Sequence, residues 1–371
     1  MDDKKIKVAI THGDANGVGY ELIFKTFNEP DMLQLCTPVI YGSPKLAAYH
    51  RNALEMQANF SIIKDADEAI DGRINMLTTF DEDVKVELGT PTKESGEAAI
   101  KAIDRAIEDY RQQKFEVLVT APMTMQHVNT DGKLFHTQSE YIANRIDNQV
   151  KPLYIMTNRG LRIASVTNKM PISEAAKTIT TEAIVEQTNT FITALKRDFR
   201  VSAPRIAVLS LNPYKGENSS VGKEENEIIK PAIEIINQKS PVAFGPYNPE
   251  TFFANRQYEM FDGIMAMYHE QAVLPFSLIS SEQPVCLTAG LPVVHTYTND
   301  DCLFQHAGKG DADEKAIRDA IYLAIDIIRN REDYDRPFDN PLPKLYHEKK
   351  DEGDRPRFAV KKNEEQANSE E

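Results

Sequence analysis

The sequence predicts an α/β fold with parallel strands and crossover helices, and three observations lead there. Short β-branched runs alternate with segments of helical periodicity along most of the chain, the pattern of repeated strand–helix units. The first of these runs leads into a glycine-rich loop and then a helix, the place where open α/β sheets bind ligands. The chain has 371 residues, 41% hydrophobic and 27% charged, the mix of a globular protein able to bury a sizeable core. At roughly 150 residues per domain, that length suggests two domains or three.

Taken in order, Ile6–Thr11 (IKVAIT) reads as a strand and Gly13–Gly19 as its loop, with a helix beginning near Tyr20 and Glu21. Thr37–Tyr41 is the next strand and Pro44–Arg51 the next helix. Between Ser95 and Tyr110, Ala99, Ile103, Ala106, Ile107 and Tyr110 recur three and four apart, as on an amphipathic helix. Phe115–Thr120 is a buried-type strand stopped by Pro122, and Leu161–Thr167, Arg205–Leu211 and Gly263–Tyr268 are further short strands. Ala312–Arg331 is a long last helix with Ala316, Ala320, Ile321, Ala324, Ile327 and Ile328 on one face. From about Glu348 the chain is charged at both signs and nearly free of apolar residues, a disordered tail by composition. No internal repeat is found.

Charge and cysteine content remove whole classes of function. Lys and Arg total 43 against 57 Asp and Glu, a net charge of −14 that would repel a phosphate backbone, so no nucleic-acid partner is expected. No apolar run approaches the roughly 20 residues of a membrane-spanning helix, and the first residues lack the pattern of a secretory signal. A cytoplasmic protein is therefore expected. Cys36, Cys286 and Cys302 are few, odd in number and far apart, implying neither a disulfide framework nor a zinc ribbon.

Several segments are site-like, each with a plain structural alternative. Gly13–Gly19 lacks the third glycine of a dinucleotide fingerprint and reads equally as a tight turn. Thr120-Ala121-Pro122 ends a strand, where a hydroxyl commonly just caps a helix. Met267-Tyr268-His269-Glu270-Gln271 delivers His, Glu and Gln to a strand end, as metal ligand, acid/base or buried hydrogen-bonded residue. Gly290-Leu291-Pro292 and Ala307-Gly308-Lys309-Gly310 either admit a cofactor or only turn the chain.

In their order, ITHGDANGVGYELIFKTF, VTAPMT, VTNKMPISEA, LSLNPYKGE, FDGIMAMYHEQAVLPF, TAGLPVVHT and HAGKGDA closely resemble the 4-hydroxythreonine-4-phosphate dehydrogenase (PdxA) family, from about residue 5 to about 345. The resemblance implies a fold like isocitrate and isopropylmalate dehydrogenases, with two α/β/α domains and a cleft between them. Its segments would be 1–122 with 299–345 on the cofactor side, 123–298 on the metal, substrate and dimer side, and 346–371 as the tail. It further implies a homodimer that uses NAD to oxidise a phosphorylated hydroxy amino acid, which then loses carbon dioxide. A divalent metal on three histidines would polarise the hydroxyl.

Residue by residue, much of that implied site is substituted. Lys169, in Thr167-Asn168-Lys169-Met170-Pro171, stands where the family has its first metal histidine, and Tyr214, in Leu211-Asn212-Pro213-Tyr214, where it has the second. Only His269 is kept, and one imidazole beside a lysine is a poor metal site. Gln138 and Ser139 replace the histidine and threonine of a G-H-T-E stretch. Met125, Ser277, Cys286 and His295 replace lysine, lysine, asparagine and arginine. Each change removes a charge or donor worth about 1.5–3 kcal/mol against phosphate or carboxylate. Thr288, Gly290 and Leu291 keep the cofactor-side pattern, whereas Asp300, Asp301 and Leu303 would crowd or repel a dinucleotide.

Three functions compete on this reading. The family reaction persists with rearranged residues, His136 and His295 being the candidates. Alternatively, Lys169 lowers the pKa of Tyr214 and the two form a metal-free acid/base pair. The reading preferred on sequence is an impaired or non-catalytic paralogue that homodimerises or pairs with an active relative.

Overall fold

Val8 and Ile10 face one side of the first strand and Ala9 the other, and all three are fully buried. A strand apolar on both faces belongs inside a sheet covered on both sides. The computed structural model describes residues 5–80, 84–125, 128, 135–158, 160–213, 221–280, 283–298 and 303–339. Within them, twelve strands form one sheet in the order β3-β4-β2-β1-β5-β12-β11-β6-β7-β10-β8-β9. They are β1 Ile6–Thr11, β2 Cys36–Gly42, β3 Phe60–Ile63, β4 Ile74–Thr78, β5 Val117–Thr120 and β6 Leu153–Asn158. The remainder are β7 Leu161–Ser165, β8 Ile206–Leu209, β9 Ala243–Tyr247, β10 Gly263–Ala266, β11 Val285–Ala289 and β12 Val294–Thr298. The five strands before residue 122 make one end of the sheet, and the seven between 123 and 298 make the other.

The helices are α1 Gly19–Asn28, α2 Pro30–Leu35, α3 Pro44–Ala53, α4 Lys93–Arg111, α5 Gln138–Ile146 and α6 Ile172–Thr178. After them come α7 Thr181–Arg197, α8 Lys230–Ile236, α9 Pro249–Ala254, α10 His269–Ile279 and α11 Lys315–Asp339. The expected 95–110 helix is α4; it starts two residues earlier because Thr92 and Ser95 form a reciprocal capping box. The charged tail, Tyr214 and the Asp300-Asp301-Cys302 run lie outside the described residues.

In one respect the sheet differs from the parallel expectation. β6 pairs antiparallel with both β7 and β11, and β11 pairs antiparallel with β12. Two short turns cause this: the one joining β6 to β7 and the one joining β11 to β12. In the second, Gly290 adopts φ +89°, a backbone that residues with a Cβ rarely take. The reversal has a consequence for function. β7, β10, β8 and β9 are mutually parallel but run opposite to β1, β5 and β12, so their carboxyl ends lie on opposite edges of the sheet.

Candidate functional site

The carboxyl ends of β7, β8 and β10 meet at one edge, and hydrogen bonds between their following loops hold them there. Thr167 donates from its amide and its hydroxyl to the Met267 carbonyl, at 3.3 and 3.2 Å. The Gln271 side chain accepts from the Met267 amide at 2.7 Å and donates to the Ser210 carbonyl at 2.8 Å, tying β10 to β8. Glu225 accepts from the amides of Leu211 and Asn212 at 2.9 and 2.8 Å. Lys169, His269 and Asn212 therefore belong to loops gathered at one edge. Lys169 is exposed, and His269 opens α10 with Nδ1 3.2 Å from the Glu270 carboxylate. Tyr214, the proposed partner of Lys169, is outside the described residues.

The residues that the resemblance assigns to substrate lie elsewhere, His295 on β12 and Gln138 and Ser139 at the start of α5. Register places Thr288 beside Tyr154, and Tyr297 beside both Cys286 and Thr120. His295 is completely buried among them; its Nε2 is 3.0 Å from the Thr120 hydroxyl and its Nδ1 2.9 Å from that of Thr288. Burial pushes its pKa down to about 3, so the ring is neutral at physiological pH. It stacks on Tyr297 with ring centroids 5.4 Å apart. Burial raises the Tyr297 and Tyr154 phenols well above their ordinary range. Gln138 and Ser139, at the start of α5, are buried; Gln138 Oε1 finds no partner among the described residues, while the Ser139 hydroxyl faces the Tyr297 phenol. His136 is exposed just before that helix. The result is a polar interior around a neutral imidazole.

The cofactor-side residues are divided as well. Thr288 is fully buried and committed to His295. Gly290 and Leu291 line a cavity of about 560 Å³ at the sheet edge. There the Leu291 carbonyl accepts from Arg331 at 3.3 Å, while the same guanidinium is paired with Asp198 at 2.7 Å. The Gly13–Gly19 loop is buried throughout, which favours the tight-turn alternative. A Cβ on Gly19 would lie 1.9 Å from the His12 carbonyl, so only glycine fits that approach. Asn16 anchors the loop, its side chain donating to the Thr90 carbonyl and accepting from the Glu87 amide, each at 2.9 Å.

Sequence reasoning missed three residues here. His12 is fully buried, stacked on Tyr20 at 5.1 Å, and lowered to about 3 by burial and by nearby His50. Glu21, 1% exposed, accepts from the Ala312 amide at 2.9 Å and pairs with Lys25. Lys25 in turn donates to the carbonyls of Gly310 and Ala312 at 2.8 and 2.7 Å, fastening the 307–312 loop to α1. A Glu and a Lys four apart on α1 was the available signal, but nothing local indicated a partner almost 300 residues away.

Similarity to known proteins agrees with this architecture. The family described as pyridoxal phosphate biosynthetic protein PdxA matches residues 34–324. The chain belongs to the PdxA family. It is 47% identical over 355 residues to a 4-hydroxythreonine-4-phosphate dehydrogenase of Bacteroides thetaiotaomicron, covering 96% of this chain and 98% of that protein. A protein of the same name from a Sulfurihydrogenibium species is 30% identical, over 88% of this chain and 99% of its own. The crystal structure of a 4-hydroxythreonine-4-phosphate dehydrogenase from Burkholderia phymatum superposes with a TM-score of 0.72 at 26% identity, covering 88% and 99%.

The donor set of this PdxA family member does not fit a three-histidine metal. Lys169, where the resemblance implies a metal histidine, is an exposed lysine, and no three His, Cys, Asp or Glu side chains gather as ligands among the described residues. No described helix is long and apolar enough to cross a membrane.

Proposed function

We propose that this PdxA family member is impaired in, or has lost, the metal-dependent oxidation of 4-phosphohydroxy-L-threonine, and acts as a divergent paralogue on the family scaffold. The observation that carries this is His295. It stands where the resemblance implies a substrate-binding arginine, yet it is sealed from solvent, neutral, and bonded to two threonine hydroxyls. A neutral ring already satisfied on both nitrogens has nothing to offer a phosphate or carboxylate. Lys169, exposed on the edge that carries His269, supports the same conclusion, because an ammonium repels a divalent cation.

NAD stays within the proposal as the family's oxidant. Gly290 and Leu291 line a cavity, but Thr288 is closed off by His295. We place the two domains, 1–122 with 299–345 and 123–298, as the blocks carrying the two ends of the sheet. The partner is a second copy or an active relative, docked over α10, where Leu274 and Leu278 are 62% and 86% exposed. A cytoplasmic location completes the proposal.

A second reading is favoured by one finding, the 47% identity to a protein named for the full activity. On that reading the chain oxidises the family substrate with residues arranged differently, or through Lys169 and Tyr214 without a metal. NADH formation from 4-phosphohydroxy-L-threonine, measured with and without a chelator beside an intact relative, separates the readings. No turnover beside a working control is expected. Turnover that a chelator abolishes would mean a rebuilt metal site and overturn the proposal. Chelator-resistant turnover that Lys169→Met removes would establish the metal-free alternative instead.

A further inference from the structure

We propose that the cavity between the β6–β7 turn and the C-terminal end of α10 is a second ligand site, which takes a small carboxylate or phosphate carried on a flat ring. The cavity holds about 390 Å³, within the range of small-molecule sites. Tyr258 and Phe261 give it aromatic walls, and Leu161 and Ile264 give it aliphatic ones. Asn158 and Ser280 line it too, bonded to each other at 2.7 Å.

The charge comes from Arg162, which also lines the cavity. Its guanidinium lies 4.6 Å from the Phe199 ring centroid, and Nη1 donates to the carbonyls of Gly160 and Asp262 at 3.1 and 3.4 Å. Nε is buried and meets no acceptor among the described residues. Burial lowers the Arg162 pKa, opposed only by the charge of Asp262 nearby. Arg331, the buried arginine on α11, is treated differently and is paired with Asp198 at 2.7 Å. Glu259 is the one acid among the lining residues, and it is tied to Arg256. Asp262 is near enough to act on this charge but forms no ion pair with it among the described residues, and an anion in the cavity would supply a direct partner for the guanidinium. A sheltered arginine with no ion-pair partner among the described residues, beside a cavity with aromatic walls, suits an anionic ligand.

This place is separate from the edge that carries Lys169 and His269. β7 and β10 begin beside the cavity and end at that other edge. α10 runs between them, from His269 at its start to Ile279 in the cavity wall, about 16 Å at 1.5 Å per residue. An occupant would thus press on the helix whose first residue is the retained imidazole.

The test is calorimetric titration of the full chain with phenyl phosphate and with benzoate, using benzamide and inorganic phosphate as comparison probes. Saturable binding of at least one aromatic anion is expected, and which of the two binds tells phosphate from carboxylate. Arg162→Met should weaken it at least about tenfold, the loss of one charge-assisted contact. Ser280→Tyr, which fills the cavity and leaves Arg162 in place, should abolish it, and it decides the matter should Arg162→Met fail to fold. No saturable binding, benzamide as tight as benzoate, inorganic phosphate as tight as phenyl phosphate, or an unchanged Kd in the folded variants would each overturn the proposal.

Discussion

A histidine sealed in a protein interior resists protonation, and His12 and His295 are both fully buried and both pushed down to about 3. In the unfolded chain each titrates near 6.5. The unfolded state therefore takes up protons first as the pH falls, and stability is lost progressively below about pH 6.5 until the folded groups protonate near 3. At pH 5 the loss is about 2 kcal/mol for each histidine. Urea unfolding at pH 7 and pH 5 checks this: His295→Gln should shrink the difference between the two by about 2 kcal/mol, and an undiminished difference would refute the assignment. The resemblance implied an arginine at the position of His295, but nothing in the sequence told that His295 is buried. In Val293–Thr298 both faces of the strand are covered, so alternation of polar and apolar residues has no exposed side to report. Lys169 is the converse case, because its identity alone argues against a metal wherever its side chain lies.

At the level of elements, α1, α3, α4, α11 and six of the twelve strands were legible, since their apolar spacing is a direct imprint of burial. The hairpins were not. Asn158–Leu161 and Gly290–Val293 carry no Asn-Gly or Asp-Gly signal, and a chain rich in strand–helix alternation biases the reading toward parallel pairing. What holds the second hairpin comes from far away: Arg331 on α11 donates to the carbonyls of Leu291 and Pro292 while paired with Asp198 just beyond α7. Both side chains of the ion pair are about 5% exposed or less. Removing one partner strands a buried charge, so Arg331→Met should destabilise the fold by about 3–5 kcal/mol. The double variant Arg331→Met, Asp198→Asn should recover part of that loss. Guanidinium unfolding midpoints measure both, and a single variant within about 1 kcal/mol of the parent would mean the pair is not a strut.

For the whole molecule, the sequence conveyed family and fold because many ordered blocks survive together, but one chain's sequence cannot show which surface awaits a partner. The structure offers one on α10. Ala272 and Phe276 face the core, while Leu274 and Leu278, four apart, face outward along the helix that begins at the His269 edge. Leaving two leucines in water on an otherwise well-packed helix costs apolar burial of about 1.5–3 kcal/mol for each one that a partner could cover. A second copy docked there would also bring its own edge loops to the site, so assembly and any remaining chemistry share one surface. Sedimentation velocity should find the parent chain at twice its monomer mass, and Leu278→Glu should shift it to monomer while its far-UV circular dichroism stays the same. A parent chain that stays monomeric by itself but pairs with an active family member would select the mixed dimer over the homodimer. A Leu278→Glu chain that still dimerises fully would move the interface away from α10, and with it the reason for expecting a partner's loops at the His269 edge.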